Sequence, residues 1–298
     1  MPNIYSIKND FFSAQFSEVG AELQSLRRLS DGRELIWHGD ANWWNGRSPI
    51  LFPITGGLWD GQTRFDGAPY SISKHGFVRR ATWQLEQQAA DAITFRFSWS
   101  ADTLEHFPYR FNLRAHYRLL RDGLAATFEV ENLEARAMPF QLGGHPAFVF
   151  PDFDETAEID GFLKMDSMPP YLLRAGRQGC IECEDGQPKH YPLPLRPDGL
   201  VALGVETFRN EALIAVHAVG GATLLDRARR PFLRIESAAP VWLFWAPCGK
   251  HCPFVCCEPW FGLPDAEDFS GSFAERPFVQ TVEGGEVWSE KYTILGER

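Results

Sequence analysis

The chain has 298 residues, 44% hydrophobic and 23% charged, a globular balance that excludes intrinsic disorder. Its 29 Lys and Arg against 39 Asp and Glu leave a formal charge of −10, which disfavours nucleic acid and anionic membrane surfaces as partners. The 10 Trp, 24 Phe and 7 Tyr are a heavy aromatic load that suits half-buried strands and ligand-stacking surfaces better than a helical bundle.

Strands are predicted at residues 5–8, 11–16 and 21–27. In 93–99 the odd positions are Ile93, Phe95, Phe97 and Trp99 and the even ones Thr94, Arg96 and Ser98, the alternation of a half-buried strand. The pattern repeats in Phe111, Leu113, Ala115, Tyr117 and Leu119. After the turn signal Arg121-Asp122-Gly123 it returns in Leu124, Ala126, Phe128 and Val130, which predicts an antiparallel hairpin. Residues 151–197 are richer in Pro, Gly and charge and read as loops or an excursion. They are no flexible linker, because Phe162, Leu163, Met165, Tyr171, Leu172 and Leu173 would be stranded in solvent. Further strands are predicted at 212–218, 232–236, 241–245 and 287–294. No window sustains helical apolar spacing, and no internal repeat is visible. The expected fold is all-β: one large antiparallel domain over residues 1–298, built as two packed sheets.

No apolar segment of signal-peptide length precedes Lys8, Asn9 and Asp10, and apolar runs such as 241–246 are too short to span a bilayer. A soluble cytoplasmic protein, monomeric or homodimeric, is expected. Cys180 and Cys183 form a C-x-x-C pair, but Cys248, Cys252, Cys256 and Cys257 supply no second one. Adjacent Cys256 and Cys257 on a strand would point to opposite faces and could not readily ligate one ion together. Buried free thiols on strands and in one loop are expected, with a structural metal as the alternative.

Nucleotide-binding glycine motifs, H-E-x-x-H and G-x-S-x-G are absent from the sequence. Four segments instead embed polar groups in apolar, Gly- and Pro-rich surroundings. They are Arg47 before Ser48-Pro49-Ile50-Leu51-Phe52-Pro53, then Lys74-His75-Gly76-Phe77-Val78-Arg79, then Gly143-Gly144-His145-Pro146-Ala147-Phe148, and Cys256-Cys257-Glu258-Pro259-Trp260. Ionisable groups are rarely buried without partners, so Glu258 and Arg47 in such settings ask for a ligand or an ion pair. Taken singly, each histidine reads more readily as structural, and Glu258 could equally pair with an arginine at a sheet edge.

In order and wording these segments resemble the aldose 1-epimerase (galactose mutarotase) family, especially a subgroup carrying H-G-F-x-R. The stretches Gly20-Ala21-Glu22-Leu23-Gln24-Ser25-Leu26, Leu35-Ile36-Trp37-His38-Gly39-Asp40 and Trp43-Trp44 add to the likeness, which runs from Ile4 to Ile294. The resemblance implies a β-supersandwich with a shallow sugar cleft, and anomer interconversion of a free aldohexose such as glucose or galactose without cofactor or metal. It implies Glu258 as general base and His145 as general acid. His75 falls on a histidine that holds the sugar near its ring oxygen, and Arg47 on an arginine that contacts hydroxyls. Glu211 stands where relatives carry an Asp, one methylene shorter, which leaves sugar preference open. Arg79 matches an arginine that helps bind phosphate in hexose-phosphate epimerases, and Trp260 or Phe77 would stack on the sugar. Alternatives are a hexose-6-phosphate 1-epimerase, for which Arg47, Lys74, Arg79 and Arg80 would supply charge, and a non-catalytic sugar-binding module.

Overall fold

The turn signal at Arg121-Asp122-Gly123 closes the predicted hairpin: strands Phe111–Leu119 and Gly123–Asn132 pair antiparallel, with Leu124 opposite Leu119 and Asn132 opposite Phe111. Burial alternates along Phe111–Leu119 as its sequence does, because successive side chains leave a strand on opposite faces. This geometry comes from a computed structural model, in which residues 2–296 are described.

The hairpin sits within a nine-stranded antiparallel sheet. Its order is Val201–Leu203, Gly161–Met165, Gly221–Leu225, Pro231–Ser237, Val287–Gly296, Gly123–Asn132, Phe111–Leu119, Ala92–Ser98 and Gln84–Gln88. A second, six-stranded sheet runs Leu213–Ala215, Val241–Trp245, Phe254–Phe261, Leu142–Gly144 and Ile50–Leu51, with Ala147–Val149 pairing on the Phe254 end. A three-stranded sheet of Ile4–Lys8, Phe12–Ser17 and Leu23–Arg28 completes the N-terminal part.

The two large sheets share one apolar cluster that includes Phe52, Phe111, Phe128, Trp242, Phe244, Phe261 and Tyr292. Phe261 meets Trp288 edge-on at 5.2 Å between ring centroids, and Phe52 meets Phe111 at 5.0 Å. Aromatic residues are thus spent largely on the seam between sheets, where their area contributes most.

Two expectations shift. The strand predicted at 212–218 is only Leu213–Ala215, because the neighbouring strand pairs with it only across Trp242, Leu243 and Phe244. The excursion at 151–197 contributes Gly161–Met165 to the nine-stranded sheet, burying Phe162, Leu163 and Met165. Its later part returns to the six-stranded sheet, where Leu173 bridges Ile214. None of the six cysteines is disulfide-bonded: Cys180, Cys252, Cys256 and Cys257 are buried, Cys183 is half-buried and Cys248 is exposed. Burial pushes the Cys180 and Cys252 thiols up to about 12, so neither is a reactive thiolate at neutral pH. Among the described residues no helix is long and apolar enough to cross a membrane.

Candidate active site

The strand Phe254–Phe261 is buried along its whole length, so its two faces must both be covered. Register divides them. Cys257 and Pro259 lie opposite Phe244 and Trp242 on the core side, whereas Cys256, Glu258 and Trp260 lie opposite Trp245, Leu243 and Val241 on the other. That second face is the floor of a cleft of about 350 Å³. Leu243, Glu258 and Trp260 line it, with Ile214 from the neighbouring strand.

The glycine pair before His145 makes this floor possible. Gly143 lies opposite Trp260, and a Cβ there would come within 2.6 Å of the indole. Gly144 faces the core, where a Cβ would come within 2.5 Å of the Tyr292 ring. Any side chain at either position would displace an aromatic ring, so the backbone passes between the two layers as bare glycine. His145 follows at once, its backbone N–H donating to the Pro49 carbonyl and its ring stacked on Trp44 at 4.9 Å between centroids. This brings His145 Nε2 to 3.3 Å from Glu258 Oε2.

His75 arrives from a tight turn. It adopts φ +66°, and Gly76 after it adopts φ +72°, where a Cβ would fall 1.9 Å from the Phe52 carbonyl oxygen. A non-glycine residue held in the left-handed region is uncommon and costs energy, a feature that concentrates at functional sites. The Gly56 N–H donates to His75 Nδ1 at 3.0 Å. A backbone N–H can only donate, so Nδ1 is the acceptor and the ring proton lies on Nε2, available to a ligand oxygen. The His75 ring stands edge-on to Trp260 at 5.6 Å and to His145 at 5.8 Å.

Electrostatics follow from burial. Glu258 is 1% exposed, and desolvation raises its pKa well above the ordinary carboxylate value, opposed by the Lys74 charge and by the Trp260 indole. His145 is pushed down to about 3, mainly by desolvation and further by the Arg79 and Lys74 charges. His75 is lowered for the same leading reason, with His145 adding to it. Among the described residues the buried atoms His145 Nδ1, Trp260 Nε1 and Arg79 Nε have no hydrogen-bond partner, and Glu258 Oε2 faces the His145 imidazole at 3.3 Å outside hydrogen-bond geometry. Unsatisfied polar atoms at this density are costly, and a polyhydroxylated ligand would satisfy them.

The cleft therefore gathers Glu258, His145, His75, Arg79, Glu211 and Trp260 from four separate segments. Arg47 is the exception: it does not line the cleft. Its Nε donates to the His38 carbonyl at 2.8 Å, and its Nη1 reaches the Gln24 side chain. The turn that carries it is closed by Glu22, which accepts from the Arg47 and Ser48 backbone N–H groups, so the guanidinium is spent on the N-terminal sheet. Phe77 also faces elsewhere, packing on Phe97 beside Arg80. Trp44 and Trp245 wall the cleft around His145, and Pro264 seats against Gly56, without a local sequence signal that marks them as site residues. For Trp245 the only signal was its parity with Cys256 across the strand pair, which needs the register to be read.

A larger cavity of about 610 Å³ lies by Phe11, Arg28 and Arg121. It brings together no imidazole and no buried carboxylate, and its acids include Asp31, which pairs with Arg28.

Residues 3–170 match the family model described as Aldose 1-epimerase, which is more than half of the chain. The chain belongs to the aldose 1-epimerase family. Across 97% of both chains it is 29% identical to protein LacX of Lactococcus lactis subsp. lactis. A galactose mutarotase-like protein from Lactobacillus casei ATCC 334 superposes with a TM-score of 0.89 at 27% identity, covering 99% of this chain and all of that one. A galactose mutarotase related enzyme from Lactobacillus acidophilus gives 0.88 at 24% identity over 99% and 98% of the two chains. Membership in the aldose 1-epimerase family accords with the large antiparallel sandwich, and with a cleft whose floor is the outward face of its smaller sheet.

Proposed function

We propose that this aldose 1-epimerase family member interconverts the α and β anomers of a free aldohexose. The observation that carries the reading is the buried pair itself: a carboxylate and an imidazole 3.3 Å apart at the floor of a sugar-sized cleft. Opening a hemiacetal ring requires removal of the anomeric hydroxyl proton and protonation of the ring oxygen. Those two oxygens share one carbon, so groups this close can serve both. With the proton they share placed on His145, Glu258 takes the hydroxyl proton as His145 delivers its own to the ring oxygen, the C1–C2 bond rotates, and the aldehyde recloses with the roles reversed. Each transfer contributes roughly 10²- to 10⁴-fold. His75 Nε2–H donates to a sugar oxygen beside the reacting centre, and Glu211 at the rim accepts from a hydroxyl.

The charges around the cleft argue for an uncharged sugar. Lys74 and Arg79 line it, but so do Glu211 and Glu258, so a phosphate dianion would meet both signs. Mutarotation followed by polarimetry or saturation-transfer NMR is expected to give a higher kcat/KM for glucose or galactose than for their 6-phosphates at physiological salt. The reverse order would reassign Lys74 and Arg79 as phosphate ligands. A rate no faster than buffer for every sugar would end the enzymatic reading in favour of a sugar-binding module.

The pH profile follows from the pair. Catalysis in these roles needs one proton shared between Glu258 and His145, a coupled titration. A second proton cannot load until the pH approaches the depressed imidazole value of about 3, so no acid limb is expected near 6.5, the ordinary histidine value. The single proton is lost as pH rises through the raised value of Glu258, and activity is expected to fall on that side. A kcat/KM profile with its acid limb near 6.5 would contradict this assignment.

A further inference from the structure

The face of the Phe254–Phe261 strand that carries Glu258 also carries Cys256, two residues earlier, and Ala147 pairs with Cys256 just after His145. One donor atom each from His145, Cys256 and Glu258 lies within 4.8 Å of the other two, and all three residues are buried. Among the described residues, two of the polar atoms here, His145 Nδ1 and Glu258 Oε2, are buried without a hydrogen bond, the latter facing the His145 Nε2 at 3.3 Å. We propose that His145, Cys256 and Glu258 form a zinc-class metal site at the cleft floor, and that a bound ion there inhibits the protein.

The donor set is one that zinc takes: an imidazole nitrogen, a thiolate sulfur and a carboxylate oxygen, with a fourth position open to water. Coordination releases the Cys256 proton to solvent, together with any proton held by Glu258. Thiolate and carboxylate then cancel the dication, so a buried site that disfavours lone charges becomes neutral. Bonds of roughly 2.0 Å to nitrogen and oxygen and 2.3 Å to sulfur require the donors to close by only about 1 Å. The Lys74 and Arg79 cations weaken affinity, which makes this a reversible inhibitory site. Cys257, on the opposite face among core aromatics, takes no part. Metal binding stands on the donor geometry alone, whereas inhibition rests on the proposed acid and base roles, since the ion occupies both groups.

Cobalt titration of metal-free protein under reducing conditions tests the binding. One Co²⁺ per chain is expected, with a thiolate-to-cobalt charge-transfer band in the near ultraviolet that zinc abolishes. The band is expected to vanish in Cys256→Ala and in His145→Asn and to persist in Cys248→Ser, whose cysteine is the exposed one. Zinc is expected to cut mutarotation by at least roughly 100-fold in the wild type, because acid and base are both sequestered. Cys256→Ala is expected to lose that sensitivity, its rate with zinc matching its own zinc-free rate. Absence of stoichiometric binding, or a band that survives both Cys256→Ala and His145→Asn, overturns the proposal. Should Cys256→Ala fail to fold by circular dichroism, loss or survival of the band in His145→Asn decides. A wild type that binds Co²⁺ as described but shows no mutarotation would keep the metal site and reject the catalytic reading.

Discussion

Replacing Glu258 with glutamine is expected to lower kcat by roughly 10²- to 10⁴-fold, equivalent to about 3 to 5 kcal/mol of transition-state stabilisation, with sugar binding retained. Glutamine keeps the shape and one hydrogen-bonding oxygen but cannot take a proton. Thermal stability is expected not to fall with it. Glu258 is buried, its Oε2 beside the His145 imidazole without a hydrogen bond, and a neutral amide carries no charge desolvation. The separation of the two readouts distinguishes a catalytic carboxylate from a structural one: a structural Glu258 would cost melting temperature and leave kcat in proportion to folded protein. His145→Asn is expected to show a comparable fall. Because the two groups lie 3.3 Å apart and act in one concerted proton exchange, the double variant is expected to be little worse than either single one. Near-wild-type kcat in folded Glu258→Gln, measured by polarimetry, would withdraw the base assignment.

The second large effect is on stability. Arg276 is fully enclosed, and its Nε donates to Asp265 Oδ1 at 2.6 Å. The other Asp265 oxygen accepts from the Trp59 N–H at 2.9 Å, next to the Gly56–Gly57 turn that positions His75. Burial raises the Asp265 pKa while Arg276 holds it down. Arg276→Met leaves a buried carboxylate without its counter-charge, a loss of about 3 to 5 kcal/mol in denaturant unfolding. The sign with pH is specific. With Arg276 gone the Asp265 pKa rises further above its unfolded value, so the protonated form is the one the fold favours. The variant is therefore expected to regain stability relative to wild type as pH falls through that raised value, and Asp265→Asn in the same background is expected to restore part of it at neutral pH. A loss below about 1 kcal/mol would show the pair to be replaceable by apolar packing. Pro264 lines the cleft one residue before Asp265, so activity is expected to fall along with stability.

The sandwich was readable from the chain because strand alternation is a local property. Ile93, Phe95 and Phe97, or Phe111 through Leu119, declare which face is buried without reference to any partner, and the turn at Arg121-Asp122-Gly123 joins two such runs within a few residues. Glu258, His145 and His75 stood out for a related reason. Each is an ionisable group set among apolar residues, glycines and prolines, and such a group has to find a partner or a ligand. What the sequence could not show is where long-range packing sends a flexible side chain. Arg47 lies close to the cleft in sequence order, yet it turns to Gln24 and His38 because Glu22 closes its turn from the N-terminal sheet. Lys74 and Arg79 line the cleft instead, and Trp44 and Trp245 wall it around His145. Gly161–Met165 became a sheet strand only by meeting Val201–Leu203 and Gly221–Leu225, both far along the chain. Cys256 joins Glu258 on the cleft face, and Cys257 is turned into the core, once register with Val241–Trp245 is set. Periodicity says that two faces exist. For a strand buried on both sides such as Phe254–Phe261, only its pairing with strands distant in sequence decides which face meets the core and which residues end up within reach of one sugar.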